Sequence, residues 1–118
     1  MAGLTTHVLD TTRGRPASGV AIELHALAAD GARTLIASVR TNADGRTDAP
    51  LISPAQARVG AFELTFHVGA YFRGQGAATA EPPFLDIVPI RFAIADAKAN
   101  YHVPLVVTPW SYSTYRGS

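Results

Sequence analysis

The chain has 118 residues, 47% of them hydrophobic and 16% charged, with a formal net charge of +1 and no cysteine. A single domain over residues 1–118 is the natural expectation at this length, and such a chain buries roughly 65% of its unfolded surface. The near-neutral balance and the lack of a basic run argue against a nucleic-acid groove or an anionic membrane surface, and the lack of cysteine excludes disulfides, thiolate metal sites and thiol nucleophiles.

Most of the chain reads as short strands with alternating polarity. "LTTHVLD" sets Leu4, Thr6 and Val8 on one face and Thr5, His7 and Leu9 on the other. After the turn-rich "TTRGRPASG", "VAIELHAL" alternates Val20, Ile22 and Leu24 with Glu23 and His25. "AADGA" is a turn, and "TLIASVR" follows as a weaker strand with Leu35, Ala37 and Val39 inward. "TNADGR" is a second turn; "SPAQARVG" starts a short helical turn with Ser53 as cap and Pro54 at the first position. "AFELTFHV" sets Phe62, Leu64, Phe66 and Val68 against Glu63, Thr65 and His67. "VGAYFRGQG" reads as one helical turn closed by glycine, before the loop "RGQGAATAEPP". "IVPIRFAI" and "YHVPLVV" are the last strong strands, placing Val88, Ile90, Phe92, Ile94 and Tyr101, Val103, Leu105, Val107 inward. Pro89 and Pro104 inside them require an edge, a bulge or a strand start. Seven or eight such strands define an all-β sandwich. No signal-peptide pattern opens the chain and no apolar run approaches the roughly 20 residues of a membrane span, so a cytoplasmic location is the default expectation.

Four histidines fall on outward faces. His25 and His67 accompany Glu23 and Glu63. A His/Glu metal cluster is one reading; a solvated face with cross-strand charge pairs is the plainer and preferred one. His7 and His102 instead share their faces with Leu9 and with Pro104 and Val106. A sheet face that apolar is expected to meet another subunit, with two imidazoles in the contact. Histidine is suited to proton transfer near neutral pH, and Arg46, closing "TNADGR", offers a planar fork for carbonyl or anionic oxygens.

At these residues the chain resembles the transthyretin-like 5-hydroxyisourate hydrolases. "LTTHVLDTTRGRPA", "TNADGR", "FLDIVPIRF" and "YHVPLVVTPWSYSTYRGS" carry the likeness from Leu4 to Ser118, and the ending "YRGS" discriminates it from hormone-carrying transthyretins. The resemblance implies a sandwich of two four-stranded sheets with one short helix, assembled as a dimer of dimers with sites in the channel where dimers meet. It implies His7, Arg46, His102, Tyr115, Arg116, Gly117 and Ser118 as functional residues. The implied reaction is hydrolytic ring opening of 5-hydroxyisourate, in urate degradation, to 2-oxo-4-hydroxy-4-carboxy-5-ureidoimidazoline, with no cofactor and no metal.

The roles expected on that basis are specific. Arg46 holds substrate oxygens and stabilises an oxyanion, His102 is the general base, and His7 assists. Tyr115 walls the planar ring, Ser118 positions water or substrate, Arg116 pins the tail through an ion pair, and Gly117 frees the backbone to turn. A ligand carrier without chemistry and a plain adhesive sandwich are the other two classes compatible with the strand pattern.

Overall fold

The computed structural model describes residues 3–76 and 80–117. Eight strands and one short helix follow in chain order: β1 (Gly3–Asp10), β2 (Arg15–Pro16), β3 (Ala21–Leu27), β4 (Arg33–Arg40), β5 (Gly60–His67), α1 (Val68–Gly74), β6 (Ile87–Ile94), β7 (Asn100–Val107) and β8 (Tyr112–Thr114). They form two four-stranded sheets, ordered β2-β1-β7-β8 and β4-β3-β5-β6. The expected two-sheet sandwich is therefore what forms.

The alternation read from the sequence becomes the core. Leu4, Val8, Val103, Leu105 and Val107 from the first sheet meet Ile22, Leu24, Phe62, Leu64, Phe66, Val88 and Ile94 from the second. Side chains of an extended strand alternate across the sheet, so burying one parity fixes the register and exposes the other. Two strands depart from the pattern: β5 buries both parities, Glu63 and Thr65 as well as Phe62, Leu64 and Phe66, and β4 is irregular. The ladder between β3 and β4 shifts register between Leu24 and His25, pairing Leu24 with Ala37 and His25 with Leu35. The bulge turns Leu35 out to 55% exposure, while Ala37 and Val39 still pack on the core.

The helical segments also differ in detail. Pro54–Gln56 forms a single 3-10 turn, and the Ser53 side chain does not cap it. The second segment is longer than one turn, running from Val68 to Gly74. Its Tyr71 hydroxyl donates to the fully buried Asp10 carboxylate at 2.8 Å, which also accepts the backbone N–H groups of Thr12 and Arg13. Burial and that carboxylate push the Tyr71 phenol up to about 12. The contact ties α1 to the end of β1, since a buried carboxylate is stable only when its oxygens are satisfied.

Each strand proline has its own solution. Pro89 lies on β6, an edge strand, where no partner requires its missing N–H. Pro104 lies on the inner strand β7. There β8 pairs with Leu105, Val106 and Val107, the ladder opens at Pro104, and a single bridge, His102↔Gly117, resumes the pairing. A residue without a donor has interrupted the ladder without ending the association.

Candidate active site

β1 and β7 run parallel, with Thr5↔His102 and His7↔Pro104 as register partners. This pairing brings together His7 and His102, nearly the whole chain apart in sequence, on adjacent strands of one outer face. Both imidazoles are half-buried. The Asn42–Arg46 turn is docked beside them. Val8 donates its N–H to Gly45 O at 2.8 Å, and Gly45 has φ +73°, with the space a Cβ would take filled by the Val8 carbonyl oxygen. Only glycine tolerates both the left-handed backbone and that approach.

Asn42 builds the turn. Its Oδ1 accepts the N–H groups of Asp44 (2.9 Å) and Arg46 (3.2 Å), and its N–H donates to Arg46 O at 2.8 Å. Two consequences follow for the site. The Asp44 carbonyl accepts from His7 Nε2 at 2.9 Å, which assigns Nε2–H and leaves His7 Nδ1 with the lone pair in the neutral ring. Arg46 stands exposed at the rim, and its guanidinium has no hydrogen-bond or ion-pair partner among the described residues.

The electrostatics agree with this arrangement. Burial pushes His7 below the usual histidine range, the Arg46 charge adds to that, and the Asp44 carbonyl and carboxylate oppose it. His102 is lowered first by burial, then by Arg46 and by His7, against an opposing hydrogen bond to the Thr5 backbone. Both rings are thus neutral at pH 7 and able to accept a proton. An adjoining cleft of about 170 Å³ is lined by Thr5, Thr6, Arg46, Thr47, Asp48, Ala49 and Pro50.

The tail reaches the same face. Tyr115 is exposed and lines a cavity of about 200 Å³ with Tyr101, Val103 and Arg116 rather than the cleft beside Arg46. The Gly117 N–H donates to His102 O at 2.7 Å. Gly117 does not have the left-handed backbone expected of a turning glycine. It is required for proximity: a Cβ there would stand 2.7 Å from His102 Cδ2. Arg116 is not held by an ion pair among the described residues; its guanidinium stacks 4.2 Å from the Tyr101 ring centroid and donates to Asn100 O. Ser118 lies outside the described residues.

The apolar patch expected around Leu9, Pro104 and Val106 is not the exposed one. Leu9 and Val106 are half-buried and Pro104 is buried within the chain itself. The exposed large side chains include Phe84, Ile87, Trp110, Tyr112 and Tyr115, with Phe84 and Trp110 rings 6.4 Å apart.

The other two histidines are engaged elsewhere. Glu63 is buried and bridges Arg33 (3.0 Å) and Arg91 (2.9 Å); His25 Nδ1 lies 3.3 Å from Arg33, and His67 Nε2 lies 3.6 Å from Glu23. These are cross-strand charge pairs, and no cluster of three or more metal-ligating side chains occurs among the described residues. Thr5, Asn42 and the Asp44 carbonyl are not among the site residues expected from the sequence. The Asn-Ala-Asp-Gly stretch was a signal for a side-chain-capped turn, and Thr5 was visible only as a face mate of His7.

Fold and site together define a β-sandwich of the hydrolase-or-carrier kind, with two neutral imidazoles and, unpartnered among the described residues, the Arg46 guanidinium on one outer sheet face. Comparison with known proteins narrows this. The HIUase/Transthyretin family model matches residues 4–117, and the chain belongs to that family. A 5-hydroxyisourate hydrolase of Deinococcus radiodurans is 60% identical over 116 residues, covering 98% of this chain and 96% of the relative. The solved 5-hydroxyisourate hydrolase of Klebsiella pneumoniae is 34% identical with TM-score 0.81, covering both chains in full. A solved (S)-allantoin synthase is 46% identical with TM-score 0.92 over 98% of this chain, but this chain spans only 43% of that one.

Proposed function

We propose that this chain, as one hydrolase domain over residues 1–118, hydrolyses 5-hydroxyisourate in purine degradation. The carrying observation is the convergence of His7, His102 and Arg46 on one face, with both imidazoles held neutral by burial and by the guanidinium. Hydrolysis of a cyclic amide needs an activated water, a counter-charge for the developing oxyanion and a proton for the departing nitrogen. His102 takes the proton from water as its oxygen attacks the ring carbonyl. Arg46 stabilises the resulting oxyanion. The ring C–N bond then breaks, the nitrogen receives a proton by way of the imidazole pair, and the carbonyl carbon becomes a carboxylate. His7, fixed through Nε2 by the Asp44 carbonyl, orients the ring with Nδ1. Tyr115 and Ser118 complete the wall of the site, Arg116 and Gly117 hold the tail in place, and no cofactor or metal takes part.

The working unit is a homotetramer, a dimer of dimers, in a cytoplasmic setting. A cleft of about 170 Å³ is smaller than the roughly 300 Å³ or more of a pocket that encloses a small ligand, so a second chain is needed to close it. Of the four edge strands, β6 and β8, with the exposed aromatics Phe84, Trp110 and Tyr115, offer the surfaces. No helix of the described residues is long and apolar enough to cross a membrane. The test is to mix purified protein with freshly generated 5-hydroxyisourate and follow its ultraviolet absorbance. Decay no faster than the spontaneous rate removes the enzymatic reading, and a fully active monomer in sedimentation removes the shared site.

A further inference from the structure

Thr5 and His102 are direct partners across the parallel β1–β7 ladder, and Thr5 Oγ1 lies 2.8 Å from His102 Nδ1. Thr5 makes no other side-chain hydrogen bond among the described residues, and it also lines the cleft with Arg46. On the opposite edge of the imidazole, Gly117 closes on Cδ2. Thr5 and Gly117 therefore hold the two sides of the ring and leave Nε2 at its free tip. A hydroxyl can give or accept a hydrogen bond, and the choice made at Nδ1 decides which nitrogen carries the lone pair.

We propose that Thr5 is a positioning residue that accepts from His102 Nδ1–H, fixing the tautomer in which Nε2 is the proton acceptor for hydrolysis. This rests on the hydrolase reading above. A threonine in a strand is suited to the task, because its branched side chain has few rotamers and keeps Oγ1 aimed at its cross-strand partner. Once Oγ1 accepts from the ring, its own proton is free to point into the cleft, toward a substrate oxygen gripped by Arg46. Were Thr5 the donor, that proton would be used at Nδ1, Nε2 would carry hydrogen, and His102 would lose its role as base. The arrangement mirrors His7, whose tautomer is set from the other nitrogen by the Asp44 carbonyl. Two neighbouring imidazoles are thereby locked in opposite tautomers by two partners, one from the adjoining strand and one from the turn.

The direction of a pH shift separates the two hydrogen-bond senses. The groups facing His102 from the elements packed on it are the Thr5 hydroxyl, the Thr5 backbone (which Thr5→Val retains) and His7 on β1, Arg46 on the turn and Gly117 on the tail; the carboxylate of Asp44 acts on His7. An acceptor at Nδ1–H favours the imidazolium, so removing it lowers the histidine further. Thr5→Val, nearly isosteric but without the hydroxyl, is expected to cut kcat by roughly 10- to 100-fold, the range for outer partners that orient a working histidine. KM should change little, and the acid limb of the kcat profile should move to lower pH. Thr5→Ser should recover most of the rate and return the limb. Nitrogen NMR of the resting protein, without substrate, should show His102 protonated at Nδ1 and bare at Nε2. An Nε2–H tautomer, an acid limb that moves up in Thr5→Val, or unchanged turnover in that variant overturns the assignment. The NMR result stands or falls independently of catalysis: a wild-type protein with no turnover removes the hydrolase reading alone.

Discussion

Each sheet of this sandwich turns a pair of histidines outward, and the two faces treat them oppositely. On the second sheet His67 stands 3.6 Å from the Glu23 carboxylate and His25 leans on Arg33, itself paired to Glu63. On the first, neither ring makes an ion pair among the described residues: His102 faces Arg46 and His7, and His7 is held through the Asp44 carbonyl, with the Asp44 carboxylate only partly opposing the effect of burial and Arg46. A histidine's chemistry here comes from its neighbours. On the second sheet the imidazoles take part in a structural network of charged side chains, whereas on the first, burial beside a guanidinium with no partner among the described residues holds the rings neutral and able to accept protons.

The largest break in this contrast should come from His102→Ala. Losing a general base typically costs 10²–10⁴ in rate, so turnover should fall by roughly that factor, with little change in melting temperature. Arg46→Lys should not restore the oxyanion site despite keeping the charge, because a lysine cannot present the flat, two-pronged donor. The pH dependence has the same origin. Since both rings are held below their usual 6.5, activity should persist as pH falls past 6.5 and fail only at the lowered values. Stability follows the same sign: the unfolded rings protonate first, so the contribution is complete above 6.5 and lost as pH falls through the folded values. A rate profile breaking above 6.5 would contradict the neutral-imidazole picture.

A smaller effect is expected at the tail. Gly117→Ala drives a methyl into the His102 ring edge, so it should lower turnover by about tenfold through misalignment, with melting nearly unchanged. Kinetics and calorimetry on the same sample would show whether the rate or the stability suffers.

On the opposite sheet the order should invert. Glu63→Gln leaves Arg33 and Arg91 without their shared carboxylate and is expected to cost about 1–3 kcal/mol of stability. Turnover per folded molecule should stay the same, and denaturant titration beside the ultraviolet assay would test both halves. His25→Ala and His67→Ala should change least, within about 0.5 kcal/mol and without effect on rate. A strong loss of activity at either would reverse the assignment of the two faces.

Most of the fold was determined locally. Val20, Ile22 and Leu24, or Phe62, Leu64 and Phe66, declare their buried parity by alternation alone, and the turns between them carry Gly, Asp and Asn where the backbone needs them. The same parity put His7 and His102 on outward faces, and the motif likeness named Arg46 and the tail. What sequence could not supply was any relation between strands. The parallel pairing of β1 with β7 sets Thr5 against His102, and alternation within one strand carries no information about its partner's register. The bulge that exposes Leu35 is a property of two strands together. Gly117 is needed because a ring on another strand fills the space a side chain would take, not because of its own backbone angle. Periodicity is a one-dimensional signal and fixes which side of a strand is buried; the distances that give the imidazoles their protonation state exist only once the chain has closed on itself.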